Sequence, residues 1–187
     1  MNIFILSENP QECAEYHCDT HVVKMIVETA QLLSTAHRVL DGIKADVTTL
    51  NTKSGKARKR TIYVMPVPYQ DTLFYRATHV NHPCGVWVRE SAENYNWTYE
   101  LLVALCDEYF YRYGRAKEKQ HKVAAGGLLL ALRDPPKNIP KVPRTPFALA
   151  MPDEYRQADA IAAYRDLYRF GKTKLLKYTN RARPSWL

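Results

Sequence analysis

The sequence predicts a mainly α-helical protein that folds as a single domain, with a short N-terminal extended arm and a proline-rich strap. The 187 residues are 46% hydrophobic, which is enough for one substantial core and too little chain for two ordinary ones. Several long segments repeat apolar residues every three or four positions, as amphipathic helices do, whereas strand-like alternation is weak and short. We therefore expect one compact helical domain over residues 1–187.

The N-terminal segment is the only one that alternates like a strand. Residues 2–7 alternate weakly in hydrophobicity, and Pro10 stops the pattern. An extended arm is predicted, too isolated to build a sheet.

The first long helix is predicted from about His21 to Leu40. Asp19 or Thr20 can supply the N-cap oxygen, and Gly42 follows the last turn. One wide face is apolar and belongs to the core. The opposite edge is a narrow polar strip, with side chains three or four positions apart: His21, Lys24, Glu28, Gln31 and Thr35.

A long basic loop or insertion is predicted over residues 41–78. The segment contains Gly, Pro and polar clusters, including KSGKARKR and MPVP, and shows no sustained periodicity. Its cations Arg58, Lys59 and Arg60 are either simply solvated or form a flexible clamp on a phosphate backbone.

Two further helical regions are predicted. The first follows Pro83 and runs to about Tyr113, with a break near Asn94. A proline-rich extended strap then covers residues 134–152, and the last helix fits residues 153–170 before a basic tail.

The charge balance indicates an anionic ligand. Lys and Arg outnumber Asp and Glu by 27 to 19, a net charge of +8, which favours phosphates, and we expect DNA or a nucleotide as the partner. The four cysteines form no CxxC pair, and no apolar stretch is long enough for a membrane span. We expect a soluble, cytoplasmic protein without a cofactor, a metal or a membrane partner.

Two histidine-rich segments are the first candidates for chemistry. HCDTH places His17, Asp19 and His21 at a helix start, where free N–H groups attract an anion. THVNHP places His79, Asn81 and His82 just ahead of the next helix. The alternative interpretation makes Asp19 a plain N-cap and the histidines surface partners. We expect the two segments to share one site. The spacing of their histidines and carboxylate matches no metal-binding motif.

Lys24 and Glu28 are the next candidates, one helical turn apart in the polar strip. Such a pair is ordinarily an ion pair. If another helix covers the strip, burial would make Lys24 a candidate nucleophile and Glu28 a candidate base. In the aromatic run EYFYRYG, Tyr113 can either stack on a base or belong to the core.

At HCDTHVVKM, THVNHPCGVWVRES and CDEYFYRYG, the chain resembles a family of short proteins common in tailed-phage genomes. Its layout is also similar to that of the phage pyrimidine-dimer DNA glycosylases: an extended arm, AEY leading into a long helix, a second long helix, and a terminal RP-aromatic segment. That resemblance implies an all-α fold that kinks DNA and flips a nucleotide. It also implies cleavage of the N-glycosidic bond by an N-terminal amine with a glutamate beside the first long helix.

The chain departs from that family's pattern at two places. His17-Cys18-Asp19 follows AEY where an Arg-Glu pair is expected, so that Asp19 is the nearest carboxylate. Met1 precedes the bulky Asn2, so removal of Met1 is not expected. These departures favour attack by water, or a binder without catalysis, over an imine lyase.

The sequence therefore predicts a phage-type DNA-acting enzyme of N-glycosidic chemistry on a modified or damaged base. Asp19 or Glu28 would stabilise the sugar cation or activate water, and the four histidines of the two segments would contact phosphates or the leaving base. Gln31 and Asn81 would read base edges. Phosphate contacts are expected from Arg58, Lys59, Arg60 and Arg89. The alternative is a non-enzymatic protein that sequesters a nucleotide or a phosphorylated signal in the same pocket.

Overall fold

A computed structural model describes residues 1–50, 55–115 and 118–187. Over these residues the chain is mainly α-helical, as predicted, and one antiparallel pair of strands forms its only sheet. Residues 53–54 of the predicted basic run lie outside the described part. The helices are α1 (Pro10–Tyr16), α2 (Asp19–Asp41), α3 (Pro68–Leu73), α4 (Pro83–Glu90), α5 (Ala92–Tyr109), α6 (Lys122–Ala125), α7 (Leu128–Ala131) and α8 (Ala160–Asp166); the strands are β1 (Ile43–Leu50) and β2 (Ala57–Val64).

The long helix α2 forms where the periodicity of the sequence predicted it. It begins two residues earlier than predicted, and Gly42 follows its last residue. The predicted cap is wrong, because Cys18 occupies the N-cap position without a side-chain hydrogen bond and Asp19 is already helical. The carboxylate of Asp19 instead reaches the distant backbone N–H of Thr179.

The core lies between α2 and α5, with α1 and α4 packed alongside. The facing side chains are fully buried aliphatic groups, each of which stabilises the fold by about 1.5–3 kcal/mol relative to exposure. They include Met25, Ile26, Leu32 and Leu33 of α2 and Leu101, Leu102 and Leu105 of α5.

The N-terminal arm is extended and lies inside the molecule. Residues 3–6 are all buried. The arm pairs with no described strand, so side chains form hydrogen bonds with its backbone groups. Cys13 Sγ accepts from the N–H of Leu6, and Arg165 donates to the Leu6 carbonyl. The first residues of the chain are therefore held against α2.

The second helical region breaks at Ser91, three residues before the predicted point. The Ser91 hydroxyl accepts hydrogen bonds from the N–H groups of Glu93 and Asn94, which caps α5. A π-helical turn over residues 110–114 continues α5.

The segment predicted as a long loop is instead mostly structured. β1 and β2 form a hairpin in which Ile43 pairs with Val64 and Leu50 with Ala57, and α3 follows. The strands escaped prediction because much of both faces is exposed, so neither strand carries the apolar alternation of a half-buried sheet.

The strap over residues 134–152 contains neither helix nor strand, as its prolines predict. It is fixed across α4 and α5, where Asn94 Nδ2 donates to Thr145 Oγ1. The predicted last helix is shorter than expected, because Asp159 caps a new helix, α8, which a π-helical turn over residues 167–171 extends. Within the described residues, no helix has the length and apolar character needed to cross a bilayer.

Candidate active site

The buried arm brings the start of the chain onto the polar strip of α2. The backbone N–H of Asn2 donates to Oε2 of Glu28 at 3.0 Å. The amino group of Met1 lies 4.0 Å from the same oxygen, and the Glu28 side chain is only 15% exposed. A primary amine and a carboxylate therefore share a partly desolvated position.

The side chain of Asn2 fixes this arrangement. Its Nδ2 donates to the carbonyl of Ala150 at 2.8 Å, and its Oδ1 accepts from the N–H of Ile3 at 2.8 Å. The same oxygen lies 3.3 Å from both Cys84 Sγ and the Tyr164 hydroxyl. The strap, α4 and α8 thus each hold residue 2 in place, and its backbone nitrogen cannot drift from Glu28.

Lys24 occupies the other side of the Glu28 carboxylate. Its Nζ lies 3.3 Å from Oε1, and its side chain is 61% exposed. No described element covers it, so the burial that would make Lys24 a nucleophile is not observed. Lys24 is a solvated cation paired with Glu28.

The THVNHP segment also lies at this site. Burial, followed by the positive charges of the terminal amine and of His79, lowers the pKa of His82, so its ring is neutral at pH 7. Because His82 Nδ1 accepts from the N–H of Cys84, the ring proton is on Nε2. His82 therefore presents a hydrogen-bond donor beside the amine and Glu28.

His79 and Asn81 are exposed at the start of α4. His79 adopts a left-handed backbone conformation, φ 48°, with its ring held by the Thr78 hydroxyl. Arg89 stabilises this loop, since its Nη2 donates to the carbonyl of Val80 at 2.7 Å. Its Nη1 is buried with no partner among the described residues. Arg89 therefore supports the loop, and its phosphate contact stays a prediction.

The HCDTH histidines are sealed inside the molecule. His17 is 0% and His21 4% exposed, and His21 stacks on Phe4 with ring centroids 4.3 Å apart. Burial lowers the pKa of His17 to about 4 and that of His21 to about 3, so both are neutral. His21 Nδ1 is bonded to the Tyr168 hydroxyl. Aromatic side chains cover both rings, so neither is open to a ligand phosphate.

Asp19 belongs to a separate ionic cluster. It accepts from Arg112 Nη1 at 2.9 Å and from the N–H and hydroxyl of Thr179. Burial raises its pKa, but the hydrogen bonds from Thr179 and Arg112 outweigh that effect and the pKa is lowered. Tyr113 adjoins this cluster, where burial and then the hydrogen bond to Asp19 raise its pKa to about 12.

The expected convergence of the two histidine segments is therefore wrong. Nine residues of α2 separate Asp19 from Glu28, a rise of about 14 Å along the helix. The Thr78 N–H binds Thr35 Oγ1, still further along α2. The start of α4, which follows His79 and His82, reaches the Asn2–Glu28 site through Cys84, whereas His17, Asp19 and His21 lie towards the N-terminal end of α2.

Gln31 is half-buried one turn from Glu28, on the same face of α2. Arg58, Lys59 and Arg60 lie on β2, in the hairpin. Sequence reasoning missed Asn2, whose only local signal is its place at the start of an apolar arm. The described residues hold no group of three or more His, Cys, Asp or Glu side chains that could bind a metal.

Residues 1–121 match the family described as pyrimidine dimer DNA glycosylase. The match covers the arm, α2 and α4, and so includes Asn2, Glu28 and His82. No curated protein and no solved structure matches the chain.

Proposed function

The chain belongs to the pyrimidine dimer DNA glycosylase family, and we propose that it excises damaged pyrimidines from duplex DNA with Glu28 as the catalytic carboxylate. The hydrogen bond from the Asn2 backbone to Glu28 carries this assignment. It places a desolvated carboxylate next to the terminal amine, the pair that the family's chemistry requires.

Excision breaks the bond between C1′ of the sugar and the pyrimidine nitrogen. The base leaves with the electron pair and takes up a proton, while positive charge develops on C1′ and the ring oxygen. The negative charge of Glu28 would stabilise that cation, with the Asn2 backbone N–H keeping the carboxylate oriented. His82 can donate its Nε2 proton in a hydrogen bond to an oxygen of the leaving base.

Two nucleophiles can then reach C1′. The amine beside Glu28, once it has lost a proton to solvent, would form a C–N bond to C1′ and pass a further proton to Glu28. The bond from C1′ to the ring oxygen would then break, with that oxygen taking up a proton and an iminium remaining. Water activated by Glu28 would instead leave an intact abasic sugar. Gln31 and Asn81, one half-buried and one exposed beside the site, can contact base edges in either case.

The test uses duplex DNA that carries a single ultraviolet pyrimidine dimer, followed by alkali to cleave abasic sites. Strand cleavage at the dimer, absent from undamaged duplex, is the expected result. Borohydride added during the reaction reduces an iminium, so a covalent protein–DNA product identifies the amine as nucleophile and its absence identifies water. Intact strands over a broad panel of damaged duplexes would refute the proposal.

A further inference from the structure

The hairpin of β1 and β2 carries an exposed group of cations outside the site. Arg58, Lys59 and Arg60 are consecutive and exposed, and Lys44 and Lys56 add two more positive charges. None of these five forms an ion pair with another described residue. Asp46 is the one acidic residue of the two strands, and it accepts from the Thr61 hydroxyl.

The cations lie on both faces of the ribbon. Side chains alternate along a strand, so Arg58 and Arg60 share one face and Lys59 takes the other. In the register of the hairpin, Lys44 lies opposite Tyr63 and shares the face of Lys59. A ribbon that rested on one flat anionic surface would need cations on one face alone.

The root of the hairpin is rigid although its strands are exposed. Arg38 of α2, 3% exposed, donates to the carbonyls of Tyr63, Phe74 and Tyr75 and pairs with Asp71. An isolated two-stranded hairpin is marginal in water, so this clamp lets the ribbon keep its shape away from the core.

A cleft of about 470 Å³ opens between the hairpin and the body of the protein. Arg60 and Arg76 line it from opposite sides, together with the hydroxyls of Thr49 and Thr72. Arg76 is exposed and without an ion-pair partner among the described residues. The cleft therefore extends the cationic surface from the ribbon onto the globular domain.

We propose that the hairpin is a DNA-binding arm, a basic two-stranded ribbon that lies in a groove of the duplex beside the excision site. A groove presents one phosphate backbone on each side, which matches cations on both faces of a ribbon. The inference rests on the proposed function, because both concern the same duplex.

The reach of the arm sets the length of DNA that it covers. The root at Arg38 is ten residues of α2 beyond Glu28, about 15 Å along the helix. Each strand has eight residues, so the ribbon is about 26 Å long, equivalent to about eight base pairs. The arm thus contacts duplex well outside the damaged step.

The test compares binding of undamaged duplex DNA by the wild type and by R58Q/K59Q/R60Q, measured by fluorescence anisotropy over a salt series. The variant is expected to bind about tenfold or more weakly at 0.1 M salt, with the slope of log affinity against log salt reduced by up to about 2.7. Its hydroxyl-radical footprint is expected to shorten on one side of the site. Thermal unfolding should be unchanged, since the three side chains are exposed.

A matched control, K174Q/K177Q/R183Q, removes the same number of exposed positive charges from the C-terminal segment. Equal losses in both triple variants, or no loss in the hairpin variant, would overturn the inference. Because undamaged duplex is the binding probe, absence of excision would refute the proposed function and leave the binding result standing.

Discussion

The backbone nitrogen of Asn2 donates to Oε2 of Glu28 across 26 residues of sequence, at 3.0 Å. The bond joins the first extended segment to the third turn of α2 and places the amine of Met1 within 4.0 Å of the same oxygen. The chemistry assigned to the site depends on this contact, and so does the first prediction.

Replacement of Glu28 by Gln removes the negative charge and keeps the shape of the side chain. We expect single-turnover excision to fall by about 100-fold or more, because the cationic sugar loses its stabilising carboxylate. Affinity for damaged duplex should change little. Lys24→Gln is the control on the same carboxylate, expected within about threefold of wild type because Lys24 is solvated. Similar losses in the two variants would contradict the assignment.

Asp19→Asn tests which of the two candidate carboxylates, Asp19 or Glu28, is catalytic. Asp19 already accepts from Arg112 and Thr179, so its loss should lower the free energy of unfolding by about 1–3 kcal/mol. Excision by the folded variant should stay within a few-fold of wild type. Urea unfolding and single-turnover assays on the same preparation check both outcomes, and a stable but inactive variant would return the catalytic role to Asp19.

The buried histidines predict loss of stability in mild acid. Burial lowers the pKa of His17 to about 4, of His21 to about 3 and of His37 to about 4, whereas an unfolded chain protonates histidine near 6.5. Between pH 6.5 and 4 the unfolded state binds more protons, so stability must fall as pH decreases, by up to about 1.4 kcal/mol per pH unit for each ring.

Urea unfolding at pH 7.5, 5.5 and 4.5 measures that dependence. His37→Gln should remove roughly a third of the part that the three buried rings contribute. The acidic residues with lowered pKa, Glu12, Asp19 and Asp71, lose their contribution at lower pH, below about 4. A stability that is flat from pH 7.5 to 4.5 would show that the rings titrate normally.

Arg38→Met should loosen the hairpin root. The substitution leaves four carbonyls, those of Tyr63, Asp71, Phe74 and Tyr75, without their Arg38 donor and breaks the ion pair with the Asp71 carboxylate. A broken buried pair costs about 3–5 kcal/mol, with the lower value expected because Asp71 is 39% exposed. Hydrogen exchange should speed up in β1, β2 and α3 before the rest of the protein. Uniform exchange across the chain would indicate that Arg38 does not hold this region in particular.

The sequence predicted α2 and its polar strip because helical spacing is a local property. Glu28 could therefore be placed on the correct face before any tertiary contact was known. The strands of the hairpin could not be predicted, because Lys59 and Arg60 lie on opposite faces and both faces are largely exposed. The burial of His17 and His21 depends on Tyr168, which is distant in sequence. The partners of Asp19, Arg112 and Thr179, are equally distant. These outcomes are set by long-range packing.

The residues that hold the Asn2 side chain lie partly beyond the segment that matches the glycosylase family. Ala150 and Tyr164, which hold its side chain, both follow residue 121. A fragment ending there would lose these two partners and would expose Phe4 where Tyr164 and Tyr168 now cover it. The last third of the protein accordingly helps to hold Asn2 beside Glu28, and a shortened version of the protein would need a substitute for it.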